Sequence, residues 1–238
     1  MSLRAHHLLQ HAFDGFGISI DEVITLLNCD PDKLSETDVE RFKIIRAAFD
    51  NLIDFGIAEE YQMAEEILDY EKSLDDEDEG SDEARFLIFK RFNKQYALVE
   101  NKDVEYAMIV AAGLMNVPST TTLTYMTQGD ERVRPWHLQY EGFSAPKENF
   151  PAWLIPPIEH MCRCFLVEDS MINRVQASSH KSKLSMPSWF NPTFKESVAL
   201  GGRIFSEDHP YFQVAAIDYE KLRTISQKIK KSYLNSNG

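Results

Sequence analysis

His160, Cys162 and Cys164 occupy alternate positions in the segment PPIEHMCRC, and His137 lies in the stretch before it. Cysteine thiolates and imidazole nitrogens are preferred zinc ligands, usually four to a site. On a regular strand, residues two apart point to the same face. His160, Cys162 and Cys164 would then share one face, with His137 closing a set of four. Zinc knuckles commonly separate their cysteines by two or more residues, however, and here there is one.

The same residues admit three other readings. A disulfide between Cys162 and Cys164 on a strand would lack the converging Cβ vectors that a bridge requires. Buried cysteines also behave as small hydrophobes. In that case Cys162 and Cys164 pack inward and Arg163 faces the other way. Asp130, Glu131 or Glu141 then pairs in bidentate fashion with Arg132 and Arg134, and His137 bonds a backbone carbonyl. Finally, Arg132, Arg134, His137 and Lys147 could bind a phosphate and move a proton, as a metal-independent ribonuclease must, with neighbouring Trp and Tyr rings stacking a base. The packed structural network ranks first among these and zinc second. Gly-x-Ser-x-Gly, a phosphate-cradling glycine loop and His-Glu-x-x-His are all absent from the sequence, so no hydrolase motif competes.

The elements that must position these residues are partly readable. Residues 18–29 predict a short helix capped by Ser19 or Asp21, with Val23, Ile24, Leu26 and Leu27 apolar. The stretch SETDVERFKIIRAAFDNLIDFG predicts a longer one. Ser35 or Thr37 is its cap, Glu40 completes a capping box with Thr37, and Gly56 is its stop. A further helix is expected over 58–74. From residue 85 the helical pattern resumes, with Phe86, Phe89, Phe92, Tyr96 and Val99 on one buried face. The β-branched run at Thr121–Thr127 predicts a strand, and CRCFLV (162–167) a second. A loop-rich excursion joins them, and residues 212–231 predict a closing helix.

Composition sets the frame. The 238 residues carry a net charge of −13, distributed unevenly: residues 1–84 hold 23 acidic and 6 basic residues, the remainder 15 and 19. The acidic part repels nucleic acid, and the mildly basic remainder is far from a nucleic-acid footprint. Three cysteines argue for a reducing compartment. No apolar run of about 18 residues suggests a membrane span, and no signal peptide is read at the N-terminus. The fold class expected is α+β: a helical acidic N-terminal region (1–74), an acidic linker (75–84), a module of helices and a small antiparallel sheet (85–211), and a C-terminal helix (212–238).

The order GDERVRPWHLQYEG, then Trp153, then a proline pair, then CRC before apolar residues resembles the signature of the phage Mu F-like minor head proteins, the phage head morphogenesis family. A further echo is WFNPTFKESVALGGRIFSEDHPYF. The core signature covers about 45 residues, and about 95 with that echo. Within it, His160 stands two residues before Cys162, where several members have three. The resemblance implies a signature set of Asp130, Arg132, Arg134, His137, Gly142, Trp153, Cys162, Arg163 and Cys164. It implies a low-copy virion protein, assembled in the host cytoplasm, whose partners are portal and capsid proteins, with packaged DNA as a further candidate partner and no membrane. Members act in head morphogenesis or DNA delivery and are not established as an enzyme class. The rival expectation is a phage-encoded nucleic-acid-processing effector using Arg132, Arg134 and His137.

Overall fold

The stretch LRAHHLLQHAFDGF buries Ala5, Leu8, Leu9, Ala12, Phe13 and Phe16 on one face and forms helix α1 (Leu3–Phe16). Ser2 caps it, accepting the Ala5 N–H at 3.1 Å. A computed structural model describes residues 2–74, 81–168 and 184–235. Helix α2 (Ile20–Leu27) follows with a complete capping box between Ser19 and Glu22, so Ser19 rather than Asp21 is the cap. Helix α3 (Glu36–Lys72) is capped by Ser35, whose hydroxyl accepts the Asp38 N–H at 3.2 Å; Thr37 lies inside the helix.

The expected stop at Gly56 does not occur, and α3 runs unbroken for 37 residues. The glycine has another use. A Cβ there would lie 2.7 Å from the backbone N and Cα of Ala5, so Gly56 lets α1 cross α3 at close range. Gly15 does the same on the other side of α1, where a Cβ would lie 2.6 Å from the Glu105 carbonyl oxygen. That oxygen belongs to helix α5 (Ala97–Met115). Burial on both sides of Gly56, from Ile53 to Ala58, outweighs its low helix propensity.

Helix α4 (Asp82–Lys90) begins inside the stretch read as a linker; residues 75–80 of that stretch lie outside the described residues. A wider π-type turn over Arg91–Tyr96 joins α4 to α5. The single buried aromatic face expected here is not what forms. Only Phe92 is buried, Val99 is half-buried, and Phe86, Phe89 and Tyr96 are exposed. The π turn inserts an extra residue, which rotates the stripe out of register with the core.

The sheet is small and antiparallel, in the order β2–β1–β3, from β1 (Thr122–Met126), β2 (Ser144–Pro146) and β3 (Phe165–Glu168). Thr124 pairs with Ser144 on one side and with Val167 on the other. The second strand expected, over 162–167, begins only at Phe165. Cys162 and Cys164 therefore lie in the irregular segment leading into β3, and the alternating-face argument does not apply to them. Helix α7 (Ala216–Asn235) starts four residues later than expected, after a 3-10 turn at Pro210–Phe212.

The class is α+β, mostly helical. One apolar core runs from Ala5 to Tyr233 and is shared by helices on both sides of the acidic stretch. Buried polar ties cross it. Asn51 of α3 accepts the N–H groups of Ile204 and Phe205 at 2.9 and 3.1 Å and donates to the Phe205 carbonyl at 2.9 Å. Arg4 of α1 meets Glu59, Glu100 at 2.6 Å and Asn101.

Candidate metal centre

His137 is carried by a one-turn helix, α6 (Pro135–Leu138), which Pro135 starts. The imidazole is 2% exposed, with Trp136 edge-on at 4.0 Å. Its Nδ1 lies 3.1 Å from Cys164 Sγ. Ligand atoms of His137, Cys162 and Cys164 all fall within 4.8 Å of one another, and all three residues are buried. Both cysteines are free thiols.

Further buried polar groups surround this triad. His137 Nε2 lies 2.6 Å from Glu159 Oε1, which Arg134 Nε also approaches at 2.8 Å. The hydroxyl of Tyr125, a fully buried β1 side chain, interacts with Cys164. With Nδ1 on an ion, the Nε2–H would face Glu159, the carboxylate–histidine–metal arrangement that fixes ring orientation. A cleft of about 490 Å³ lined in part by Cys162, Lys102, Asp103 and Arg132 offers an entry path.

The protonation states of the metal-free site follow from the same packing. A hydrogen bond to Cys164, followed by burial, pushes the Cys162 thiol well above its usual range. Cys164 is lowered, chiefly by accepting that bond and then by Tyr125. Burial alone would lower His137, but the adjacent Cys162 and the Glu159 carboxylate outweigh it and raise the imidazole. Two thiols and an imidazole are the donor set of a soft or borderline cation.

His160 is not part of this group. The turn over Glu159–Cys162, with Met161 at φ 59°, sends its ring elsewhere. His160 Nδ1 lies 2.8 Å from Asp103 Oδ2, and Asp103 Oδ1 accepts the Met161 N–H at 2.6 Å. Asp103 projects from α5 and is 2% exposed. Burial raises its pKa, against the opposing effects of the His160 and Met161 hydrogen bonds. It clamps the turn that presents Cys162.

The other signature residues surround the triad as braces. Asp130 pairs with Arg163, in bidentate fashion at 2.7 and 2.9 Å, rather than with Arg132 or Arg134. It also accepts the Arg132 backbone N–H at 3.1 Å. Arg134 binds Glu159 at 2.8 Å and the His160 carbonyl at 2.9 Å, while Glu141 accepts the Thr127 N–H at 2.9 Å. Gly142 takes a φ of 76° and returns the chain to β1, its N–H bonding the Tyr125 carbonyl at 2.9 Å. Trp153 is buried edge-on against Tyr140 and Phe190. Lys147 caps the C-terminal end of α5, donating to the Leu114 and Val117 carbonyls at 2.7 and 2.9 Å.

No family model matches this chain. Neither does any curated protein or solved structure at a significant level.

Sequence reasoning passed over Glu159, Asp103 and Tyr125. Glu159 sits inside PPIEHMCRC, beside residues that drew more notice. Asp103 did carry a signal: with Glu100 it interrupts the buried stripe of α5 that includes Val104, Ala107 and Ala111. An acid on such a stripe needs a partner.

Proposed function

We propose that this chain is a phage or prophage minor head protein that acts through protein–protein contacts at the portal and capsid. In it, His137, Cys162 and Cys164 hold a zinc ion that staples the signature module. The head role is supported by the resemblance of the Asp130–Cys164 segment to the minor head signature, and the zinc by one observation: His137 and the Cys162/Cys164 pair, distant in sequence, bring three buried ligand atoms within 4.8 Å of one another. Three protein ligands are one short of the four of a closed structural site. The fourth position is left to a water or another small ligand, while Glu159 holds the far nitrogen of the His137 ring. The ion would join the 130–142 loop to the segment entering β3, and Arg134 and Arg163 brace the same two segments.

A structural role fits this environment better than ribonuclease chemistry. A general base must reach its substrate, and His137 is 2% exposed with its nitrogens against Cys164 and Glu159. Lys147 is committed to helix carbonyls. The head role is tested by co-purification with a portal protein and by assay of mature virions, where the chain should be present at low copy. Its absence from virions would reject the role. Cleavage of RNA or DNA by the wild type that His137→Ala abolishes in a folded protein would instead support the effector.

A further inference from the structure

The outward face of α4 is apolar at its centre and charged at its ends. Phe86 is 59% and Phe89 45% exposed. At 100° per residue, Asp82, Glu83, Phe89 and Lys90 all fall within about 60° of Phe86. The opposite side is occupied. Ile88 packs against the core, Arg85 binds Glu71 of α3 at 3.2 Å, and Arg91 beyond the helix end pairs with Glu66 of α3. Among the described residues, neither Glu83 nor Lys90 forms an ion pair.

The order of charges along this stripe selects its partner. Acidic residues lie at the N-terminal end and a lysine at the C-terminal end, arranged about Phe86. A two-fold axis that passes between two Phe86 side chains, normal to the plane of the two helices, brings a second α4 alongside in the opposite direction. Phe86 then meets Phe86, and Glu83 of each copy lies beside Lys90 of the other, on the same flank. Parallel pairing would instead bring the acidic ends, Asp82 and Glu83, of the two copies together. An isologous interface demands such self-complementarity, and an exposed aromatic pair flanked by opposite charges without ion-pair partners among the described residues provides it.

We infer that two copies of this chain associate through an antiparallel α4–α4 contact centred on Phe86, with reciprocal Glu83–Lys90 ion pairs. The contact does not depend on the metal or on a virion role. One nine-residue helix face per copy lies at the small end of interface sizes, so the dimer is weak and concentration-dependent.

Sedimentation velocity on the full chain, from about 2 to 200 μM, tests this in the range expected for a small interface. The wild type should shift from monomer to dimer across that range. Phe86→Asp should weaken the dimer at least about tenfold, as expected for an interface-centre aromatic. Glu83→Lys and Lys90→Glu each create two like-charge contacts and should weaken it roughly tenfold. The double variant Glu83→Lys/Lys90→Glu restores opposite charges and should recover wild-type association within about twofold. All three positions are exposed, so the core is untouched. A wild type that stays monomeric throughout, a dimer indifferent to Phe86→Asp, or a double variant no better than the singles would each overturn the inference.

Discussion

Asp103 is the residue through which helix α5 shapes the candidate metal centre, and truncating it to alanine separates that role from simple packing. Its carboxylate accepts the Met161 N–H at 2.6 Å and contacts His160 Nδ1 at 2.8 Å. Hydrogen bonds to a charged group contribute about 1.5–3 kcal/mol each. Met161 sits in the left-handed region at φ 59°, a conformation costing a non-glycine residue about 1–2 kcal/mol. Without its anchor that residue can relax, and Cys162 moves with it. Removing a buried carboxylate also removes its desolvation cost, so the net loss is about 2–3 kcal/mol. For a chain of this size that is a fall in Tm of about 5–10 °C. Because Cys162 shifts with the turn, zinc affinity should drop as well, by about tenfold. Asp103→Asn, which keeps an acceptor for Met161, should lie between. Thermal melts with and without zinc, together with competition against a chromophoric chelator, read both quantities. An Asp103→Ala protein melting within about 1 °C of wild type and holding zinc equally well would refute the clamp.

Glu59 gives a pH signature. It is 2% exposed, and burial, then the neighbouring Glu100 carboxylate, push its pKa up to about 8. The folded state therefore keeps a proton that the unfolded chain has released, and stability falls as pH rises between the two pKa values. His209, lowered to about 3 by burial, works in the opposite direction below its unfolded value of 6.5. The fall should emerge at about pH 6.5–8, at up to about 1.4 kcal/mol per pH unit. Glu59→Gln should flatten it; a variant with the wild-type slope in urea unfolding would contradict the assignment. Asn51→Ala removes three buried hydrogen bonds between α3 and Ile204–Phe205 and should cost about 3–5 kcal/mol in the same assay. A loss under about 1 kcal/mol would mean that this tie does not hold the C-terminal loops.

The sequence made some of this legible because local physics decided it. Ser19 and Ser35 cap the helices they precede, and the β-branched run near Thr124 forms the central strand. Gly56 misled because its meaning is tertiary: the space it leaves is filled by Ala5, 51 residues earlier in the chain. Phe86 and Phe89 misled because a π turn shifted the register of the stripe they began. At the site, the types and order of His137, Cys162 and Cys164 pointed to a shared cluster. The expected strand geometry also placed His160 there, but an irregular turn and a buried aspartate from α5 took it away. Glu159 could be found only once the fold set it against the His137 ring.

The most direct test of the metal-stapled module is the zinc content of the purified full-length chain by inductively coupled plasma mass spectrometry. The expected result is about one zinc per chain, reduced to background in Cys162→Ser/Cys164→Ser and in His137→Ala but retained in His160→Ala. Zinc below about a tenth of a mole per mole after equilibration with one equivalent, or binding that survives loss of both cysteines, would contradict it.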